Sequence, residues 1–178
     1  MLRVPIRRSI FISTTRATTG NLFTTSVSIE RTCDSCKNSS ISEDSHLIQC
    51  VPIRSTVGAS VREIFRTSML NGENQLFCSV CQSLKEATSE SKWSRAPEVL
   101  IIQLERFISI GPQQFIKNNI KVSCDTEVSL SEMDSDPPIT HVYRLVGIID
   151  HSGTFSDGHY TCFVLIVLLI SGFCVTIL

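Results

Sequence analysis

Two Cys-x-x-Cys pairs are the groups most clearly able to act together: Cys33-Asp34-Ser35-Cys36 and Cys78-Ser79-Val80-Cys81. A two-residue gap lets both thiolates of a pair reach one ion, and two such pairs complete a tetrahedral all-thiolate site for Zn2+. The 41 residues between the pairs exceed the loop of a small zinc finger. The intervening chain must then form a folded insertion that brings the pairs together; otherwise the four thiols never meet. A site with four cysteine ligands has no open position, so its expected role is stability rather than catalysis. Of the eight cysteines, Cys50 and Cys124 lie in strand-like segments and read as small buried hydrophobes. Cys162 and Cys174 lie in an apolar C-terminal run, and none of these four has an activating neighbour in sequence.

The elements that would position these groups are mostly strands. The chain has 178 residues, 42% hydrophobic and 19% charged, enough for one folded domain. A net charge of -1 and the lack of a Lys/Arg stripe speak against nucleic acid as a partner. Residues 1–20 are rich in Arg, Ser and Thr and are left unassigned. Their composition is loosely like a mitochondrial transit peptide, the plainer reading being an arbitrary start within a larger domain. Arg7-Arg8 interrupts any signal-peptide core. A reducing compartment, cytoplasmic or nuclear, is therefore expected, and the Asn38-Ser39-Ser40 sequon is a chance match.

Alternation at Val27 and Ile29 predicts a strand running into Cys33, and residues 46–53 read as another. Ser60 with Glu63 fits a capping box, predicting a helix with Val61, Ile64, Phe65 and Met69 on one face and an end at Asn71-Gly72. Residues 99–104 read as a buried central strand, Gly111-Pro112 as a turn, and residues 120–122, 128–130 and 142–149 as further strands. Residues 131–138 read as an acidic loop. A polar loop at residues 153–158 leads to a strand beginning at Tyr160. The class is α+β, mostly β with one or two helices.

Three ordered stretches resemble one family, the ubiquitin-specific proteases (ubiquitin carboxyl-terminal hydrolases). They are the two cysteine pairs, then Pro97-Glu98-Val99-Leu100-Ile101-Ile102-Gln103-Leu104-Glu105-Arg106-Phe107, then Tyr143 through Ile149 with His151-Ser152-Gly153 and Gly158-His159-Tyr160-Thr161. Glu105 departs from the lysine usual there. The resemblance covers about residues 21–163. It implies a papain-like fold of which this chain would hold the palm and the zinc-ribbon fingers but not the thumb, with ubiquitin or ubiquitinated proteins as partner. It also implies that His159 is the general base of a thiol protease, a role suited to an imidazole that titrates near neutrality. Gly158 and Tyr160 would border the substrate tail, Gly158 giving room for close approach. Residues 109–118 and 153–158 resemble the two loops beside the substrate channel. His151 reads as a structural hydrogen-bonder beneath its loop.

Two parts of the family's machinery are not matched. No cysteine precedes Cys33, and no later cysteine sits in an Asn-x-Cys-type box. The Asp or Asn that follows the histidine in the family has no counterpart, since the last Asp is Asp157 and the last Asn is Asn119. The expectation is a partial domain without hydrolase activity of its own, or a non-catalytic ubiquitin-binding module. Residues 162–178 carry no charge. Their readings are non-coding sequence translated after a break, a membrane anchor, or a buried strand pair turning at Ser171-Gly172. The chain thus divides into an unassigned segment 1–20, a partial protease domain 21–163 and an atypical hydrophobic tail 164–178.

Overall fold

The computed structural model describes residues 7–13, 22–132, 137, 139–164, 166–170 and 173–177. Strands β1 (Arg7–Ser13), β2 (Thr25–Cys33), β3 (Ser39–His46) and β4 (Gln49–Val51) precede helix α1 (Val57–Glu63). Then come β5 (Ser68–Leu70), β6 (Leu76–Cys78), β7 (Ser83–Lys85), β8 (Ala87–Arg95) and β9 (Val99–Leu104). The remainder is β10 (Phe107–Gly111), β11 (Gln114–Lys117), β12 (Glu127–Glu132), β13 (Ile139–Gly153), β14 (Gly158–Val164), β15 (Ile166–Ile170) and β16 (Phe173–Ile177). The class is α+β and the pairing mostly antiparallel, as the residue pattern implies.

One ten-stranded sheet runs β3-β2-β8-β12-β13-β1-β9-β4, with β5 on β8 and β14 on β13. Among the described strand pairs, only β8–β12 and β4–β9 are parallel. At one end β2, β3, β5 and β8 make a finger-like extension that ends in the β6–β7 hairpin. In the middle of the sheet, β13 is long enough to serve three partners. Ile139–Arg144 pairs with β12, Tyr143–Ile149 with β1 and Gly147–Gly153 with β14.

The core sits where α1 lies on the palm strands. On β9 burial alternates, so Leu100, Ile102 and Leu104 face inward while their neighbours are half-buried. They meet Val51, Val57, Val61, Val128, Leu130 and Tyr143. The Tyr143 hydroxyl donates to the Pro97 carbonyl at 2.7 Å, which satisfies the one polar atom of a fully buried side chain.

Five expectations need correction. The helix starts earlier than the Ser60 box implies: Thr56 is the N-cap, its hydroxyl accepting from the Ala59 amide at 3.0 Å. That start buries both Val57 and Val61, one turn apart, whereas Ser60 is buried inside the helix and accepts from the Arg54 amide at 3.1 Å. Glu63 pairs with Arg54 at 2.8 Å instead of reaching back, and Met69 lies exposed in β5. Residues 120–122 are irregular, held by Arg106, which is buried and donates to the carbonyls of Asn118 (3.0 Å) and Ile120 (2.8 Å). Of residues 46–53 only Gln49–Val51 is a strand separate from β3. Cys50 is exposed, pointing away from the face that Val51 buries.

The unassigned N-terminal segment contains β1, which lies between β13 and β9. In the tail, β15 pairs with β16, Ile170 opposite Phe173; the expected turn at Ser171-Gly172 lies outside the described residues, as does most of the acidic loop. Among the described residues no helix is long and apolar enough to cross a membrane.

Candidate functional site: a four-cysteine cluster and a histidine edge

Each cysteine pair sits on a strand end followed by a tight turn. Cys33 ends β2, and the chain reverses through Lys37 (φ 61°), with the Lys37 amide donating to the Cys33 carbonyl at 2.8 Å. Cys78 ends β6 and the chain reverses through Gln82 (φ 52°). In both, the residue after the second cysteine adopts the left-handed conformation that L side chains rarely take. The two turns therefore have one design, and they bring their thiols together. All four sulfurs of Cys33, Cys36, Cys78 and Cys81 lie within 4.8 Å of one another, and Cys36 Sγ is 3.5 Å from Cys78 Sγ. A tetrahedral ion with bonds of ~2.3 Å spaces its sulfurs by roughly 3.8 Å, so the cluster has the size and donor set for a thiolate-bound metal.

The charge state fits the same purpose. The Cys81 amide and its neighbours pull the Cys78 thiol down to about 6. The hydrogen bond with Cys36, burial and the other sulfurs push Cys81 up to about 12. Four thiols this close cannot all ionise against each other; a divalent cation reverses that balance.

The second site is on the β13–β14 pair, which branches from the middle of the sheet. β13 and β14 are joined by a turn closed by the Thr154 amide on the Asp157 carbonyl at 2.7 Å. Gly153 takes φ 123°, and a β-carbon there would strike the Asp157 carbonyl. Gly158 is required for a different reason: a β-carbon would strike the His151 imidazole and approach the Ser152 carbonyl at 2.6 Å. His151 is buried beneath this turn, as expected. Its ring lies 4.7 Å from that of Tyr160 and 6.2 Å from that of Phe107. Burial first, and then the nearby Lys117 ammonium, hold its pKa below the ordinary histidine value, with Asp150 opposing.

His159 pairs with Ser152 across the β13–β14 ladder and is exposed. Because side chains alternate along β14, it lies on the opposite face from Tyr160 and His151. The same alternation puts Cys162 on the other face from His159, so the cysteine nearest in sequence cannot offer it a thiol proton. Among the described residues no carboxylate or amide side chain hydrogen-bonds to His159.

The two loops that resemble those beside the family's substrate channel touch each other. Residues 109–118 are largely the β10–β11 hairpin, turned through Gln113 at φ 58°. Phe115 at its tip stacks on Phe155 of the β13–β14 turn at 4.4 Å and 18°, and Phe107 meets Phe155 edge-on at 5.4 Å. Lys117 Nζ donates to the His151 carbonyl (2.6 Å) and the Gly153 carbonyl (3.2 Å), and lies 3.3 Å from His151 Nδ1. Sequence reasoning missed Lys117 and the aromatic contact. Phe115 and Phe155, an aromatic residue in each loop, were the available signal; for a lysine that ties two loops there was none.

Comparison with known proteins supplies the family. The profile of the ubiquitin carboxyl-terminal hydrolase family matches residues 11–167. The chain is 30% identical over 152 residues to "Ubiquitin carboxyl-terminal hydrolase 26" of Oryza sativa, covering 81% of this chain and 14% of that protein. It is 27% identical over 154 residues to "Ubiquitin carboxyl-terminal hydrolase 5" of Saccharomyces cerevisiae, covering 74% of this chain and 18% of that one. The chain thus spans less than a fifth of either relative. Among solved structures it superposes on a chain of the SAGA Ubp8/Sgf11/Sus1/Sgf73 deubiquitinating module bound to ubiquitin aldehyde. The TM-score is 0.69 at 22% identity, covering 88% of this chain and 38% of the other. That likeness carries the fold, and the profile match carries the lineage: the chain belongs to the ubiquitin carboxyl-terminal hydrolase family.

Proposed function

We propose that this chain is the histidine-bearing palm and zinc-ribbon fingers of a ubiquitin-specific thiol protease, and that by itself it holds ubiquitin without hydrolysing it. The observation that carries the reading is the position of Gly158-His159-Tyr160-Thr161. The motif opens β14 directly after the turn that Phe115 and Lys117 tie to the β10–β11 hairpin. His159 is exposed on that edge as a group able to take a proton from a thiol and return it to a leaving amine. Gly158 and Tyr160 would flank the ubiquitin tail. A catalytic cycle needs three further groups: a thiolate, an orienting Asp or Asn, and an oxyanion hole. In this reading they come from a thumb and a cysteine box that the 178 residues do not match.

Cys33, Cys36, Cys78 and Cys81 would bind one structural Zn2+, fastening the β2 and β6 ends into a rigid finger tip. Titration of ubiquitin against the zinc-loaded chain tests the binding half; absence of saturable binding sinks it. A fluorogenic ubiquitin substrate tests the catalytic half. The expected result is no turnover, and turnover abolished by His159→Ala would overturn the claim of inactivity.

A further inference from the structure

The Lys117 ammonium has three donors, and all three acceptors around it belong to one three-residue segment: the carbonyls of His151 and Gly153, and His151 Nδ1. Lysine lies at the end of β11, so a side chain of the β10–β11 hairpin grips the last residues of β13. The hairpin is itself anchored, because buried Arg106 holds the carbonyls of Asn118 and Ile120 just beyond it, and the Asn118 amide bonds to the Arg106 carbonyl at 2.6 Å.

The grip has a chemical consequence for His151. An ammonium can only donate, so Nδ1 beside it must accept, and the ring carries its proton on Nε2. Phe107 and Tyr160 hold the ring between them, and its Nε2 edge faces Gly158, the residue before His159. Lys117 thus fixes the ring, the ring sets how closely Gly158 approaches, and Gly158 begins the strand that carries His159.

We infer that Lys117 is a positioning residue for His159, acting through the His151 ring and the turn at residues 153–158. The inference rests on the reading of His159 as the protease base, and names what would hold that base in register. Lys117 itself touches no reacting group.

The test is nuclear magnetic resonance on the full 178-residue chain, comparing the wild type with Lys117→Met and Lys117→Arg. Methionine keeps the stem's packing and removes every donor. In the wild type, the His151 ring nitrogens should report a single Nε2–H tautomer near neutral pH; an Nδ1–H tautomer overturns the inference without any variant. In Lys117→Met the tautomer should become mixed, the Thr154 and His159 amides should exchange roughly tenfold faster, and the His159 ring signals should shift. Lys117→Arg, which retains donors to the two carbonyls, should recover part of the lost protection. Unchanged exchange and His159 signals in Lys117→Met overturn the inference, even if the His151 tautomer changes. None of these readouts requires turnover or ubiquitin, so their failure counts against Lys117 alone, whereas failure to bind ubiquitin counts against the proposed ubiquitin-binding function.

Discussion

The cysteine cluster and the histidine edge are made by the same device and finish differently. Each joins two tight reversals: Lys37 and Gln82 in the fingers, Gln113 and Gly153 in the palm. In the fingers the reversals converge on four identical ligands, and the site is chemically complete within 4.8 Å. In the palm they converge on a scaffold of Lys117, His151 and three phenylalanines, while His159 is exposed with no orienting side chain among the described residues. A stabilising centre can be closed by its own turns. If His159 acts as proposed, its site has to leave the working group facing outward for partners supplied from beyond these turns.

The largest effect expected on this contrast is from breaking the four-cysteine cluster. Cys33→Ser or strong chelation should abolish stoichiometric zinc, measured by native mass spectrometry, and release the β6–β7 hairpin. Binding free energies at structural zinc sites are on the order of 10 kcal/mol. If the β13–β14 amides lose protection to the same degree, the two regions are one cooperative unit and the contrast fails. Leu100→Ala reverses the experiment. It empties a fully buried palm position and should cost about 2–5 kcal/mol in urea denaturation with zinc content unchanged.

Gly158→Ala should cost about 1–3 kcal/mol, because the new β-carbon meets the His151 ring. Its effect should appear as exchange confined to the β13–β14 turn. The pH response follows from His151, whose folded pKa is depressed by burial and Lys117. The unfolded chain binds that proton more readily, so the stability is fully present above the ordinary histidine value of about 6.5. It falls as pH drops from there toward the lower folded value. His151→Gln should flatten this part of the profile. The smallest change expected is from Gln82→Gly. Relief of the left-handed strain offsets added chain entropy, leaving stability within about 1 kcal/mol and zinc binding intact.

Much of this was legible because it is periodic or closely spaced. β2, β9, β12, β13 and β14 announce themselves through alternation or apolar runs, and two Cys-x-x-Cys pairs name their own partners. β3 was hidden because all eight of its residues are exposed, so no apolar stripe marks it. β1 was hidden because its Arg- and Ser-containing stretch earns a place only by pairing with β9 and β13, which are distant in sequence. The helix start was misplaced because Thr56 and Ser60 are both good caps, and only the packing of Val57 on the core decides between them. In the histidine edge, His151, His159 and the two loops could be named, whereas Lys117 is a surface-type residue until two loops fold together around it.

The place of β1 has a consequence for how the domain forms. Arg8 pairs with Ile149 and Ser9 with Ile102, so β1 is an interior strand of the sheet whose partner β13 lies far later in the sequence. Contacts so far apart in sequence require costly loop closure before they return any stabilisation, which slows folding. During synthesis β9 can pair with β1 and β4 as soon as it emerges, but the other edge of β1 stays open until β13 follows, and until then it can meet another chain. Much of the aggregation risk for this protein falls in the interval before β13 leaves the ribosome.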